Sequence, residues 1–176
     1  MKKILAFAGS ASSTSINKKL VTYAAKNLKN TTYDLIDLRN FELPIYSIDT
    51  EKKDGFPTDV ISFTNLLDKY DGFAISLAEH NGSYAAAFKN IFDWSSRINN
   101  KVFRNKPILL MAASPGGRGG KSVLEAAVSR FPRNGAGEII SFSLPNFSDN
   151  FKNGELVEED SKKQLFDGIQ KFENLI

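Results

Sequence analysis

Ile4-Leu5-Ala6-Phe7-Ala8-Gly9-Ser10-Ala11-Ser12-Ser13-Thr14-Ser15-Ile16-Asn17 begins as an unbroken apolar run, stops at a glycine and passes into a hydroxyl-rich turn. An apolar run of strand length without polar alternation reads as a strand buried on both faces, as parallel sheets require. The pattern occurs twice more. Gly72-Phe73-Ala74-Ile75-Ser76-Leu77 leads into Ala78-Glu79-His80-Asn81-Gly82-Ser83-Tyr84, and Pro107-Ile108-Leu109-Leu110-Met111-Ala112-Ala113 leads into Ser114-Pro115-Gly116-Gly117-Arg118-Gly119-Gly120. In an open α/β sheet, ligands bind beyond the carboxyl ends of strands, where the strand order switches direction. Hydroxyls, one His, one Glu, two Asn and several Gly gathered there suggest a planar ligand bearing phosphate.

Outward from these runs, strand-length apolar segments alternate with helical patterns, which is the βαβ signature. Asn17 to Leu28 places Leu20, Val21, Ala24, Ala25 and Leu28 on one helical face. Thr32 to Leu38 reads as a second strand. Arg39 to Pro57 has no clear periodicity and contains Pro44, Gly55 and Pro57, so it reads as an irregular functional or partner-facing excursion. Thr58 to Asp68 reads as a helix with Thr58 or Asp59 as N-cap. Further helices are expected from Tyr84 to Arg97, Gly120 to Arg130 and Glu159 to Ile176, with a fifth strand from Glu138 to Leu144. Five strands alternating with five helices predict a doubly wound parallel sheet with helices on both faces. No linker or repeat divides residues 1–176, which are expected to form a single domain.

Composition narrows the chemistry. The 41% apolar and 24% charged content is that of an ordinary globular chain. The net charge of +3 is dispersed, so no nucleic-acid footprint is read. Without cysteine there is no disulfide, thiolate catalysis or cysteine-held metal, and a single histidine makes a protein-built zinc site unexpected. Met1-Lys2-Lys3 and the short apolar run behind it fit neither a signal peptide nor a membrane span, so a cytoplasmic location is expected and no membrane partner.

In the first loop, hydroxyls just before a helix, together with the unpaired amides of its first turn, can cradle a phosphate without a cation. The same residues also serve as an N-cap in a serine-rich turn. The three spaced glycines of the dinucleotide fingerprint are absent, which favours a phosphomonoester over a pyrophosphate. In the third loop Gly120-Lys121-Ser122 imitates the end of a P-loop, but Pro115 stands where its first glycine belongs, so the match reads as false. Its glycines instead let backbone pass close to a flat ligand. His80 reads either as a solvated loop residue or as a ligand neighbour. No Gly-x-Ser-x-Gly elbow accompanies it, which argues against a Ser–His hydrolase.

Gly9-Ser10 with Ser15-x-Asn17, Glu79-x-Asn81-Gly82-Ser83-Tyr84, Lys89-Asn90 with Asp93-Trp94, and Ser114-Pro115-Gly116-Gly117 together resemble the NAD(P)H-dependent FMN reductase family of the flavodoxin-like superfamily. The resemblance spans roughly Ile4 to Arg130. It implies a flavodoxin-like five-stranded parallel sheet of order 2-1-3-4-5. It implies that Ser10, Ser15 and Asn17, with the Ile16 amide, hold the FMN phosphate. Glu79, Asn81 and Gly82 would line the flavin and its ribityl chain, and Ser114, Gly116 and Gly117 would edge the isoalloxazine. Ser12, Ala78 and His80 complete the cofactor-binding set, where the family commonly carries Arg or Lys, Pro and Tyr respectively. Another departure is Ala85, a further Pro in the family.

The implied activity is transfer of a hydride from NAD(P)H to FMN, and onward transfer of electrons to free flavin, a quinone, an azo compound or a similar small acceptor. The flavin carries the chemistry, so no catalytic side chain and no metal are nominated. The alternative is a flavodoxin-like electron carrier that binds FMN without nicotinamide turnover. Ile91, Phe92, Trp94 and Ile98 give their helix more apolar surface than one sheet-facing stripe requires. With the resemblance this suggests a homodimer or homotetramer; otherwise Trp94 simply caps the core.

Overall fold

The computed structural model describes all of residues 1–176. In chain order the elements are β1 (Lys3–Gly9), α1 (Ile16–Lys26), β2 (Thr32–Ile36), a 3₁₀ turn (Leu38–Asn40), α2 (Ile48–Asp54), α3 (Thr58–Leu67), β3 (Gly72–Leu77), β4 (Glu79–His80), β5 (Ser83–Tyr84), α4 (Ala86–Ile98), β6 (Lys106–Ala113), α5 (Lys121–Arg130), a 3₁₀ turn (Phe131–Asn134), β7 (Ala136–Leu144), α6 (Phe147–Asn150), β8 (Phe151–Lys152), β9 (Glu155–Leu156) and α7 (Glu159–Glu173). The main sheet is parallel with order β2-β1-β3-β6-β7. Counting only its own strands, this is the expected 2-1-3-4-5.

Alternate residues of the three inner strands face opposite layers. Leu5, Phe7, Phe73, Ile75, Leu77, Ile108 and Leu110 meet Phe63 and Leu67 of α3, Phe88, Ile91 and Phe92 of α4, and Val123 and Ala127 of α5. Ile4, Ala6, Ala74, Leu109 and Met111 meet Leu20, Val21 and Ala24 of α1 and Leu165, Ile169 and Phe172 of α7. Both faces are covered, which explains the unbroken apolar runs.

Several expectations are corrected. The excursion after β2 contains a helix, α2. It buries no residue, so it carries no apolar period; Ser47 starts it by accepting from the Thr50 amide. At the start of α3, Pro57 occupies the N-cap position without a side-chain cap bond, and Asp59 instead accepts from the Glu42 amide at 2.7 Å. The fourth helix begins at Ala86, because Tyr84 pairs with Glu79 in a two-stranded ribbon. Asn81 (φ +52°) and Gly82 (φ +74°) make the tight turn of that ribbon, a use of Asn-Gly that needs positive φ at both positions. The α6 turn and the β8–β9 ribbon were not anticipated either, being too short to leave a period.

The apolar surface of α4 is also reassigned. Ile91, Phe92 and Trp94 are buried within the chain itself, and Ile98 is half-buried. Trp94 Nε1 donates to the Pro44 carbonyl at 2.9 Å, and the Tyr46 ring meets the indole edge-on with centroids 5.0 Å apart. Asn90 donates to the same carbonyl and accepts from the Tyr46 amide. Glu51 of α2 accepts from both Tyr46 Oη and Arg97 Nε at 2.9 Å. The Asn90 and Trp94 of the recognised motif therefore clamp the 43–51 segment onto α4, and this helix no longer supplies a reason for self-association.

Candidate functional site

Parallel pairing of β1 with β3, and of β3 with β6, puts the three candidate loops side by side at one edge of the sheet. Hydrogen bonds join them. The Ala78 amide donates to the Gly9 carbonyl at 3.3 Å, linking the first loop to the second. Glu79 Oε2 accepts from the Val123 amide at 3.0 Å, linking the second to the helix behind the third. Asn17 ties α1 to both strands: its Oδ1 accepts from Ser76 Oγ and from the Ala113 amide, each at 2.8 Å, and its Nδ2 donates to the Ala113 carbonyl at 3.2 Å.

The side chain of Asn17, a residue expected at the phosphate, is thereby drawn into a tie between α1 and the two strands. The residue is 3% exposed, and both bonds accepted by its Oδ1 and one of its two Nδ2 hydrogens are directed inward, while its backbone amide is free. Around it the first loop is set by its own hydroxyls. Ser10 Oγ accepts from the Ser12 amide at 3.2 Å, Ser12 Oγ from the Thr14 amide at 3.3 Å, and Ser15, the N-cap of α1, from the Lys18 amide at 3.2 Å. A hydroxyl that accepts in this way still has its own hydrogen to donate. The O–H groups of Ser10 and Ser15 have no acceptor in the protein, and the Ile16 and Asn17 amides make no hydrogen bond. Both the N-cap reading and the phosphate-cradle reading are thus compatible with one geometry.

Ser12 stands where the family commonly carries a cation, but Lys18 lines the same narrow cleft as Ser10, Ser12 and Ser15, together with Asp37. Lys18 Nζ lies 2.6 Å from Asp37 Oδ2, and Arg39 Nη2 lies 2.7 Å from the same oxygen. Arg39 first, then Lys18, holds the Asp37 carboxyl well below the usual carboxylate range against the opposing effect of burial. Two cations on one carboxylate leave a net positive charge beside the loop. The sequence reading missed this group because its members come from α1, the end of β2 and the turn after it.

In the second loop, Glu79 is used to cap α5, whose N-cap, Gly120, has no side chain to do so. A protein carboxylate therefore occupies the position where a P-loop would bind phosphate, in agreement with the false match read from Pro115. His80 is exposed on the ribbon, Asn81 and Gly82 form its exposed tip, and Ala78 is buried beside β1. Tyr84 turns inward against Phe88 and Phe131; its Oη has no partner, and burial pushes the phenol up to about 12.

The glycines of the third loop divide into two kinds. Gly119 has φ +61°, and a Cβ there would stand 2.9 Å from the Pro145 backbone nitrogen, so the fold itself demands glycine. Gly116 has ordinary φ and nothing within 4 Å of its Cβ position, while Gly117 would meet only Asn146 Oδ1 at 3.8 Å. Their amides make no hydrogen bond. Ser114 Oγ donates to the Gly116 carbonyl at 2.9 Å, and that carbonyl also accepts from the Asn146 amide, which fixes the loop's shape from below. Bare backbone with free N–H groups and open space above it is a surface a flat heteroaromatic ring can approach closely. Free hydroxyls and helix amides at one end, and free glycine amides at the other, fit the phosphate and the ring of FMN.

The model of the NADPH-dependent FMN reductase family matches residues 2–148. The chain is 33% identical over 79 residues to a quinone reductase of Escherichia coli (strain K12), covering 45% of this chain and 42% of that protein. It is 32% identical over 125 residues to the probable NADPH:quinone oxidoreductase 1 of Oryza sativa subsp. japonica, covering 68% and 62% respectively. These matches thus span about half the length of the curated relatives. Among solved structures, FerB, a flavoenzyme NAD(P)H:(acceptor) oxidoreductase from Paracoccus denitrificans, shares the fold with a TM-score of 0.78, covering 99% of this chain and 97% of its own at 21% identity. On the extent of the family match, the chain belongs to the NADPH-dependent FMN reductase family.

Proposed function

We propose that this protein is an NAD(P)H-dependent flavin oxidoreductase that uses FMN to move reducing equivalents from nicotinamide to a small acceptor such as free flavin, a quinone or an azo compound. The observation that carries the reading is the set of free donors along one sheet edge: the hydroxyls of Ser10 and Ser15, the amides of Ile16 and Asn17, and the amides of Gly116 and Gly117. The first four suit a phosphomonoester at a helix N-terminus. The glycine amides suit the carbonyl edge of an isoalloxazine. Lys18 and Arg39, which share the Asp37 carboxylate, supply near the phosphate the positive charge that Ser12 lacks. Exposed His80 and the Asn81–Gly82 tip border the ring and leave room for nicotinamide and acceptor. When bound, FMN supplies the redox chemistry, accepting two electrons from the nicotinamide and releasing them to the acceptor. The protein's part is to anchor the phosphate, shape the ring's edge and keep one face open.

FMN should bind at least tenfold more tightly than riboflavin, because a charge-assisted hydrogen bond is worth about 1.5–3 kcal/mol and riboflavin lacks the phosphate that receives it. A fluorescence titration with both flavins checks this, and equal affinities would remove the phosphate from the first loop. The FMN-loaded protein should bleach on NADPH addition with no protein partner present. Absence of bleaching would favour the electron-carrier alternative. A cytoplasmic homodimer or homotetramer remains part of the proposal on the resemblance alone, and a monomer in sedimentation at micromolar concentration would remove the assembly from it.

A further inference from the structure

Three Asn-Gly pairs occur in the chain, at 81–82, 134–135 and 153–154. An asparagine before glycine can lose its side-chain amide to attack by the next backbone nitrogen, because glycine has no side chain to hinder the approach. The fold treats the three pairs differently. Asn134 is 1% exposed, and its Nδ2 donates to the Asn100 carbonyl and to Asn100 Oδ1. The Gly135 amide donates to the Pro132 carbonyl at 3.2 Å, so the nitrogen that would attack is occupied. A Cβ at Gly135 would stand 2.9 Å from Lys101 Cβ, so this backbone is closely packed.

Asn81 and Asn153 have none of this protection. Both asparagines and the glycines after them are exposed. The Gly82 and Gly154 amides make no backbone hydrogen bond, and nothing lies within 4 Å of either glycine's Cβ position. Each pair is the tip of a ribbon closed by only two residue pairs. These are Glu79 with Tyr84 and His80 with Ser83 in one, and Phe151 with Leu156 and Lys152 with Glu155 in the other. For the amide nitrogen to reach the side chain, the asparagine must leave its left-handed conformation, φ +52° at Asn81 and +53° at Asn153. So short a ribbon opens locally at little cost.

We propose that Asn81 is a site of spontaneous deamidation, and that its conversion puts a carboxylate at the border of the flavin site and weakens FMN retention. The consequence for FMN rests on the flavin placement proposed above; the modification itself does not. The Gly82 nitrogen gives its proton to solvent base and bonds to Asn81 Cγ. The Cγ–Nδ2 bond breaks, and the amide leaves as ammonia after taking up a proton. Water then opens the cyclic imide at either carbonyl, leaving aspartate or isoaspartate. Nothing is oxidised or reduced, and water is the only co-reactant. Either product carries a negative charge that Asn81 lacks. The base of the ribbon is tied into the site by the Ala78 amide on the Gly9 carbonyl and by Glu79 on the Val123 amide. The new charge therefore stays at the site's border, where it repels a cofactor that is itself anionic.

Ageing the whole protein in warm, mildly alkaline buffer, with and without saturating FMN, and mapping its peptides by mass spectrometry tests the site. Asn81 and Asn153 should each convert at least about tenfold faster than Asn134, which is released only by a larger opening. Conversion of Asn81 no faster than that of Asn134 would overturn the assignment. Bound FMN should slow conversion at Asn81 and leave Asn153 unaffected. Asn81→Gly removes the reactive amide and keeps the turn, since Gly-Gly is accepted at both of its central positions. In a flavin fluorescence titration, aged wild type should bind FMN about threefold to tenfold more weakly than fresh protein, the effect of one added charge at the border of the site. Fresh Asn81→Asp should fall in the same range. Asn81→Gly should keep its affinity on ageing although its Asn153 converts; an equal loss there would take the effect away from Asn81. Conversion of Asn81 that neither responds to FMN nor weakens it would support the modification and count against the flavin's place beside the ribbon. FMN binding without conversion of Asn81 would do the reverse.

Discussion

Asn17→Ala is expected to destabilise the protein by about 3–4 kcal/mol in chemical denaturation. The substitution strands three buried partners at once: the Ala113 amide, the Ala113 carbonyl and the Ser76 hydroxyl. A buried polar group left without a partner costs roughly 1–3 kcal/mol, and relaxation keeps the sum below simple addition. Ser76→Ala is the control. It removes one hydroxyl but leaves Asn17 Oδ1 bonded to the Ala113 amide, so its cost should be about 1 kcal/mol. The effect on FMN should follow the same order, because Asn17 sets where the first turn of α1 stands relative to β3 and β6. A variant within about 1 kcal/mol of wild type would mean that the hub does not hold the three loops together. Normal stability with a large loss of FMN affinity would instead restore a direct role for the Asn17 side chain at the phosphate.

What the sequence made legible follows from how each feature is encoded. The sheet was readable because β1, β3 and β6 are covered on both faces, so their burial is written as unbroken apolar runs. The buried face of α1 was readable because Leu20, Val21, Ala24 and Ala25 repeat at helical spacing. By contrast α2 was not, because it buries nothing and is held through Ser47, Tyr46 and Arg97, which carry no period. The surplus apolar face of α4 was read correctly as a surface in need of cover. Its cover is the chain's own Pro44, Tyr46 and Phe56 rather than a second copy, a distinction that composition cannot make.

At the site, the loops were found by their positions after strands, but the division of labour within them was not. Asn17 and Glu79 carry polar groups suited to a ligand, and only long-range geometry shows that both are used to join elements. The Asn81–Gly82 pair was an available hairpin signal. The exposed ribbon tip is compatible both with that turn and with a place beside a ligand. The Lys18–Asp37–Arg39 group lay beyond sequence reasoning, since nothing local couples position 18 to position 37.

The third-loop glycines allow stability and cofactor binding to be separated by experiment. Gly119→Ala should cost about 3 kcal/mol, because the residue lies in the left-handed region and its Cβ would press on the backbone between Leu144 and Pro145. Backbone cannot swing aside as a side-chain tip can, and Ser143 Oγ, which donates to the Gly119 carbonyl, would also be displaced. Gly116→Ala should change stability by no more than about 0.5 kcal/mol, because its Cβ enters open space at an ordinary φ. If the isoalloxazine edge rests on this backbone, the same methyl group should weaken FMN at least tenfold, and Gly116→Val more. Thermal unfolding without FMN, alongside a flavin titration of each folded variant, measures the two effects separately. Gly116→Ala with unaltered FMN affinity would move the ring away from the third loop. A Gly119→Ala protein as stable as wild type would show that the β7–α6 connection yields where the geometry says it cannot. The opposed outcomes follow from one distinction: at Gly119 the fold fills the space a side chain would need, and at Gly116 nothing in the protein does.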